Sequence, residues 1–164
     1  KCLATSLRKI FATFVYSGCN CRKKDSCPLE NKCLSTSVIY QAAITSDNNS
    51  QGKIYIGLTE GTFKQRHYKH QLSFRNKTYG KSTELSKHVW ELKNNGKDFN
   101  INWSIVNKAA PYNNSSKKCN LCLTEKLFII KESKSILLNK RSELISKCRH
   151  ENKYYIMNYK DKIT

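Results

Sequence analysis

Two tyrosines, Tyr40 and Tyr55, stand 15 positions apart in the phrases Val38-Ile39-Tyr40 and Tyr55-Ile56-Gly57. Arg66, His70, Glu125 and Asn139 follow in that order. Phenols, a guanidinium, an imidazole, a carboxylate and an amide are the groups that metal-assisted hydrolysis of a phosphodiester uses. That reaction needs an activated water, neutralisation of charge at phosphorus and help for the leaving oxygen. Taken singly, each member has an ordinary reading. Two tyrosines in a hairpin usually pack half-buried. Arg66 and His70 on a helix are usually solvated, and Asn139 reads as a turn residue. Glu125 is a sharper case, because a carboxylate among Leu121, Phe128 and Ile129 has to be neutral, paired or bound to a metal. The ordered set carries the chemical reading. His67 and His88 read as surface or packing histidines.

The cysteines add two groups. Cys19-x-Cys21-x5-Cys27-x5-Cys33 has the spacing of a four-thiolate knuckle. Cys119-x2-Cys122 with Cys148-x-His150 makes a second set of four, and Cys2 is left over. An odd leftover is awkward for a disulfide scaffold and ordinary in a reduced zinc protein. About two structural Zn²⁺ are therefore expected in preference to disulfides. Exchange of ligands between the groups stays open. The second group brackets the segment carrying Glu125, so zinc there would tie that segment's start to the chain end and supply folding free energy. The first group lies just ahead of Tyr40. It could brace that strand, contact DNA through Arg22, Lys23 and Lys24, or do both.

The 164-residue chain carries 30 Lys plus Arg against 12 Asp plus Glu, a formal charge of +18. Self-repulsion on that scale points to a polyanionic partner, with nucleic acid first and an anionic membrane second. No apolar run approaches the roughly 18 residues of a membrane span. The basic residues are also spread along the chain and not gathered on one amphipathic helix. No secretory signal opens it. With Lys1 where an initiator methionine would stand, the chain reads as a piece of a longer polypeptide.

The elements that must position these groups follow from periodicity. Residues 1–18 read as an amphipathic helix and linker, with an apolar stripe at Leu3, Leu7, Ile10, Phe11 and Phe14. Residues 19–37 form a cysteine-rich, metal-held loop. Val38–Ile44 and Lys53–Leu58 read as a hairpin around a polar turn at Ser46–Gly52. Thr62–Phe74 is a helix on which Arg66 and His70 are i, i+4 neighbours. After a polar turn, Ser82 or Thr83 caps a helix that runs to about Asn94 and ends at Gly96. Phe99–Val106 alternates as a third strand, Pro111–Lys118 is a polar loop, and Leu121–Lys131 is a helix. Ile136–Asn139 is short and extended, Ser142–Lys147 forms one or two helical turns, and residues 151–164 are a mobile basic tail. The fold class expected is α+β, a small antiparallel three-stranded sheet flanked by helices over residues 38–150.

The segment from Val38 to Asn139 resembles a GIY-YIG endonuclease domain. The stretches CNCRKKDSCPLENKC, YIGLTEGTFKQR, STELSKHVWELK, KCNLCLTEKL, LLNKRSEL and KCRH resemble the endonuclease domain of Penelope-like retroelements, over roughly residues 19–150. Val38 departs from the family glycine, and one extra residue separates the second motif from Arg66. The resemblance implies Tyr40 as general base, with Tyr55 orienting the water or supporting Tyr40. It implies Arg66 on the scissile phosphate, His70 in proton handling or phosphate contact, and Asn139 holding the phosphate or the first tyrosine. Glu125 would be the carboxylate holding one Mg²⁺ or Mn²⁺, which accepts few protein ligands. Arg22, Lys23, Lys24, Lys64, Lys69 and Arg75 would contact DNA. The same resemblance implies a nuclear enzyme that nicks target DNA, leaving a 3′-hydroxyl for an attached reverse transcriptase to extend on its RNA template. One active centre per chain points to a monomer, with a dimer through Leu3, Leu7, Phe11 and Phe14 left open. Two other readings stand beside it: a non-catalytic zinc-dependent nucleic-acid-binding module, and a disulfide-rich secreted basic protein.

Overall fold

A computed structural model describes residues 18–46 and 49–140, with Leu144, Ile145, Cys148 and His150. The helix expected over residues 1–16 and the tail after His150 lie outside the described residues, as do most of the turns expected over Ser142–Lys147.

Three strands form one antiparallel sheet: β1 Val38–Ser46, β2 Asn49–Thr59 and β3 Phe99–Lys108, in the order β2-β1-β3. The central strand is the one richest in β-branched and aromatic residues, and it is covered on both sides. Val38, Tyr40, Ala42 and Ile44 enter one core, and Ile39 enters the other. Register places Tyr40 between Gly57 and Ile105, and Ala42 between Tyr55 and Trp103. A β-bulge in the β1–β3 pairing falls between Ile39 and Tyr40. Such bulges re-aim the side chains beside them. Ser46–Gly52, predicted as a polar turn, is partly ladder, with Ser46 opposite Asn49 after a register shift. Main-chain pairing asks only for N–H and C=O groups, so polar side chains at a hairpin's end do not stop it.

Helix α1, Phe63–Arg75, starts from a capping box. Thr62 Oγ1 accepts from Gln65 N–H at 3.3 Å, and Gln65 Oε1 accepts from Thr62 N–H at 3.2 Å. Helix α2, Glu84–Asn94, is capped by Thr83 and followed by Gly96 in the left-handed region at φ +62°. Both helices pack on the Tyr40 side of the sheet through Phe63, Phe74, Leu85 and Val89. The cysteine-rich segment joins them there through Leu29 and Cys33. Helix α3, Asn120–Lys131, covers the opposite side, where Leu121 and Ile129 meet Ile39 and Ile56. The chain is therefore α+β, with the sheet as its middle layer.

Two connections differ from a plain loop reading. Pro111–Lys118 folds back as a small hairpin, β4 Tyr112–Asn113 with β5 Lys118–Cys119. Asn113 Oδ1 turns the chain by accepting from Ser115 N–H and Ser116 N–H. The hairpin delivers Cys119 to the N-cap of α3. The extended piece Ile136–Asn139 lies along the free edge of β2. Ile54 N–H donates to Ile136 O, and Leu138 N–H donates to Ile54 O, both at 2.8 Å. One step further, the Asn139 amide replaces the main chain. Its Oδ1 accepts from Ile56 N–H and its Nδ2 donates to Ile56 O, both at 2.8 Å.

Asn139→Ala strips these partners from a buried peptide group and is expected to cost about 2–4 kcal/mol. A denaturant midpoint equal to the parent's would show that the clamp is idle.

Candidate functional site

At the Tyr40 hydroxyl of β1 two side chains of α1 meet. Arg66 Nε donates to it at 2.8 Å, and His70 Nε2 lies 2.8 Å from it. Arg66 has only donors, so the phenol oxygen accepts from it and offers its own hydrogen to His70. That pattern requires a neutral imidazole. Burial, followed by the charges of Arg66 and His67, pushes His70 down to about 3, so it is neutral at pH 7. Burial weakens Arg66's hold on its proton, but attraction to Tyr40 and Tyr55 and the hydrogen bonds it donates to both outweigh this, and the net shift is upward. Both tyrosines therefore share one guanidinium. Their rings pack edge-on to His70, with centroids at 5.8 and 5.9 Å.

Gly57 makes the hub possible. A Cβ there would overlap the Tyr40 hydroxyl and come within 3.0 Å of Tyr55 Cε1. Because Gly57 faces Tyr40 across the ladder, the glycine of the second phrase exists to seat the tyrosine of the first.

A cleft of about 370 Å³ opens beside the hub. Tyr55, Leu58 and Arg66 form one wall, and Lys81, Thr83, Glu84 and Lys87 at the head of α2 form another. Glu125 and Lys126 of α3 close it, with Cys122, Cys148 and His150 alongside. Tyr55, Arg66 and Glu125 thus share one solvent-accessible space. Tyr40 and His70 are buried behind it.

Asn139 is not on this wall; its amide is closed on the Ile56 peptide between Tyr55 and Gly57. Arg22, Lys23 and Lys24 are exposed on the first cysteine loop, and Lys69 and Arg75 are exposed on α1. Lys64 is half-buried and donates to Asn20 Oδ1 at 2.8 Å. None of these six lines the cleft. His67 packs edge-on against Trp103 at 5.1 Å. His88 lies 3.6 Å from Glu91.

Each cysteine group gathers its four ligand atoms within 4.8 Å of one another, so each could hold a zinc ion. In the first group five of the six sulfur pairs stand 3.1–3.9 Å apart. Four thiolates on a tetrahedral zinc would stand about 3.8 Å apart. Burial, then the neighbouring thiols, push Cys33 and Cys122 up. Thiolates packed this way call for a cation between them. No described cysteine is in a disulfide.

Both groups hold the same turn. Cys33 O and Ser35 O, beyond the first knuckle, accept from Lys64 N–H and Phe63 N–H at 2.9 and 2.8 Å. Ser37 N–H donates to Glu60 O at 3.2 Å. In the second group, Cys119 is the N-cap of α3, its sulfur accepting from Cys122 N–H at 3.5 Å. His150 Nδ1 faces Cys119, Cys122 and Cys148 at 3.2–3.8 Å, which leaves Nε2 pointing away. Glu60 Oε2 lies 3.9 Å from that Nε2. A carboxylate on the far nitrogen of a ligating histidine fixes its tautomer and orientation. Glu60, Glu84, Lys87 and Lys126 escaped the sequence reading, which had no periodic or spacing signal to single them out among many charged residues.

Compared with protein-family models, curated proteins and solved structures, the chain matches none. What the site does therefore rests on its residues.

Glu60→Ala is expected to lower zinc affinity at the second group about tenfold or more while the first keeps its ion. Chelator competition with elemental analysis measures this, and unchanged retention would remove Glu60 from the metal's support. The His70 shift predicts a pH dependence. The unfolded imidazole takes up a proton below about 6.5, whereas the folded one resists to about 3. Its contribution to stability is complete above the unfolded value. It falls by at most about 1.4 kcal/mol per pH unit as pH drops through this window. Acid loss of zinc is common to parent and His70→Gln, so the difference between their urea midpoints isolates His70. That difference should change steadily from pH 6.5 to 4; a constant difference contradicts the assignment.

Proposed function

We propose that this chain is a metal-dependent DNA endonuclease that nicks one strand and leaves a 3′-hydroxyl able to prime reverse transcription of a retroelement. The observation that carries the reading is the convergence of Tyr55, Arg66 and Glu125 on one cationic cleft, with Tyr40 and His70 bonded directly behind it. The +18 charge suits a polyanionic substrate.

The donor chemistry fits one Mg²⁺ or Mn²⁺. Glu125 is a half-buried carboxylate facing open space, and a hard cation that keeps waters and phosphate oxygens needs few protein ligands. Bound there, the ion would neutralise charge on the phosphate and lower the pKa of a water. Arg66 presents planar N–H donors to a phosphate oxygen. Water oxygen bonds to phosphorus as the bond from phosphorus to O3′ breaks, giving a 5′-phosphate and a 3′-hydroxyl. The base is a phenolate, its own proton first released to solvent and its charge balanced by the Arg66 guanidinium. It takes the water's proton, and O3′ takes one from solvent. The resemblance assigns the base to Tyr40. We assign it to Tyr55, because Tyr55, though 6% exposed, lines the cleft, while Tyr40 is fully buried and lines none of it. Tyr40 then positions Arg66, and neutral His70 holds Tyr40's hydrogen.

One such centre aligns one phosphate. The opposite strand runs antiparallel and needs a second subunit or a second encounter. With supercoiled plasmid and Mg²⁺, open circles should therefore precede linear DNA, and withholding Mg²⁺ should stop cleavage. Glu125→Ala should abolish nicking with DNA affinity nearly intact. Tyr55→Phe should lower the rate by about 100-fold or more, and Tyr40→Phe by less. Undiminished nicking by Glu125→Ala would sink the assignment. DNA binding with no Mg²⁺-dependent nick would leave a non-catalytic binding module.

A further inference from the structure

Glu84 holds its carboxylate inside the cleft at the head of α2. Lys87, one turn along the same helix, meets Glu84 Oε1 at 2.6 Å. Lys140, which follows the Asn139 clamp on the β2 edge, meets the same oxygen at 3.2 Å. Two ammonium groups from separate parts of the fold thus converge on one anionic atom. Without an anion between them they would repel at this separation. Glu84 is the least exposed of the three, at 18%, against 37% for Lys87 and 59% for Lys140. The lysines can therefore follow a different anion, because both reach solvent.

A phosphodiester offers the same charge and the same kind of acceptor oxygens as this carboxylate. Phosphates repeat along every DNA strand, so a strand with one phosphate at Arg66 brings others beside it. Arg66 and Lys87 line the same cleft. We infer that Lys87 and Lys140 form a second phosphate subsite, for a backbone phosphate flanking the one at Arg66, and that the Glu84 carboxylate fills it until nucleic acid arrives. Glu84 is an internal competitor: an entering phosphate takes over both lysines and turns the carboxylate toward solvent. The inference rests on this cleft taking DNA, and it does not depend on cleavage.

The test is the salt dependence of duplex binding by the zinc-loaded full chain without Mg²⁺, read by fluorescence anisotropy. Each phosphate contact contributes about 0.9 to the slope of log K against log salt. Lys87→Met and Lys140→Met should each reduce that slope by about one, whereas Lys87→Arg and Lys140→Arg keep it. Glu84→Gln should bind about two- to fivefold more tightly, because the competitor is gone while both lysines remain. Zinc content and circular dichroism identify any variant that fails to fold, and the Arg and Gln variants then carry the test. Parent-like slopes in the Met variants, or no tightening in Glu84→Gln, would overturn the subsite. These changes in a chain that never nicks would keep the subsite and remove only the cleavage chemistry. A parent chain that does not bind the duplex would overturn both.

Discussion

One buried oxygen constrains much of this molecule: the Tyr40 hydroxyl, fixed between Arg66 Nε and His70 Nε2. Burying a phenol without partners costs a few kcal/mol, and hydrogen bonds to charged groups contribute roughly 1.5–3 kcal/mol. Three requirements follow. Arg66 and His70 must sit one helical turn apart on a helix lying across the sheet. The strand beside Tyr40 must carry no side chain at the facing position, which Gly57 satisfies. And His70 must stay neutral, which its burial beside Arg66 ensures. A slip of one residue between β1 and β2 would turn every side chain of one strand to the wrong face and break the whole arrangement.

The helix supplying Arg66 and His70 is tied to α2 through Ser73 and Phe74 in its last turn and to the first cysteine segment through its first turn. The first-turn N–H groups donate to carbonyls of the first cysteine segment, while Glu60, just ahead of the helix, reaches toward His150 of the second group. A small core under a +18 charge has little free energy to spare, and structural zinc is one way to hold such a fold. The two groups do more than stabilise. Through Cys33 and Ser35 the first one aims α1. The second makes Cys119 the cap of α3, orients the helix carrying Glu125, and contributes Cys122, Cys148 and His150 to the cleft. An ion held by the second group would therefore be linked to the shape of the cleft through Cys122, and Glu60 would support it from His150.

The cleft itself is a meeting of layers. Tyr55, Arg66 and the head of α2 come from one face of the sheet, and α3 comes from the other. They meet where β2 is the edge strand. The piece Ile136–Asn139 closes that edge, satisfying main-chain groups that would otherwise face outward. It also brings Lys140 to Glu84. An asparagine amide is a natural substitute for a peptide here, since it offers one donor and one acceptor in the same plane.

The sequence by itself determined the element types and most of their extents, because apolar periodicity, a Ser or Thr cap at 82 or 83, and the terminator Gly96 are local signals. It also determined the two cysteine groups, since ligand spacing is written directly in the chain. The polar stretches misled: Asn49–Gly52 pairs as strand and Tyr112–Cys119 as a hairpin, because backbone hydrogen bonding is indifferent to side-chain polarity. Only the tertiary structure decided which tyrosine faces the cleft. Tyr40 and Tyr55 look equivalent in a strand pattern and both are buried, yet β1 is central and β2 is outermost of the three strands, so Tyr40 is fully enclosed while Tyr55, 6% exposed, lines the cleft. Tertiary structure likewise decided that Asn139 clamps Ile56, that Glu60 serves His150, and that Glu84 gathers two lysines. Each of these is a pairing between distant residues, and sequence spacing carries no information about such pairings until the sheet register and the packing of α1, α2 and α3 have set them.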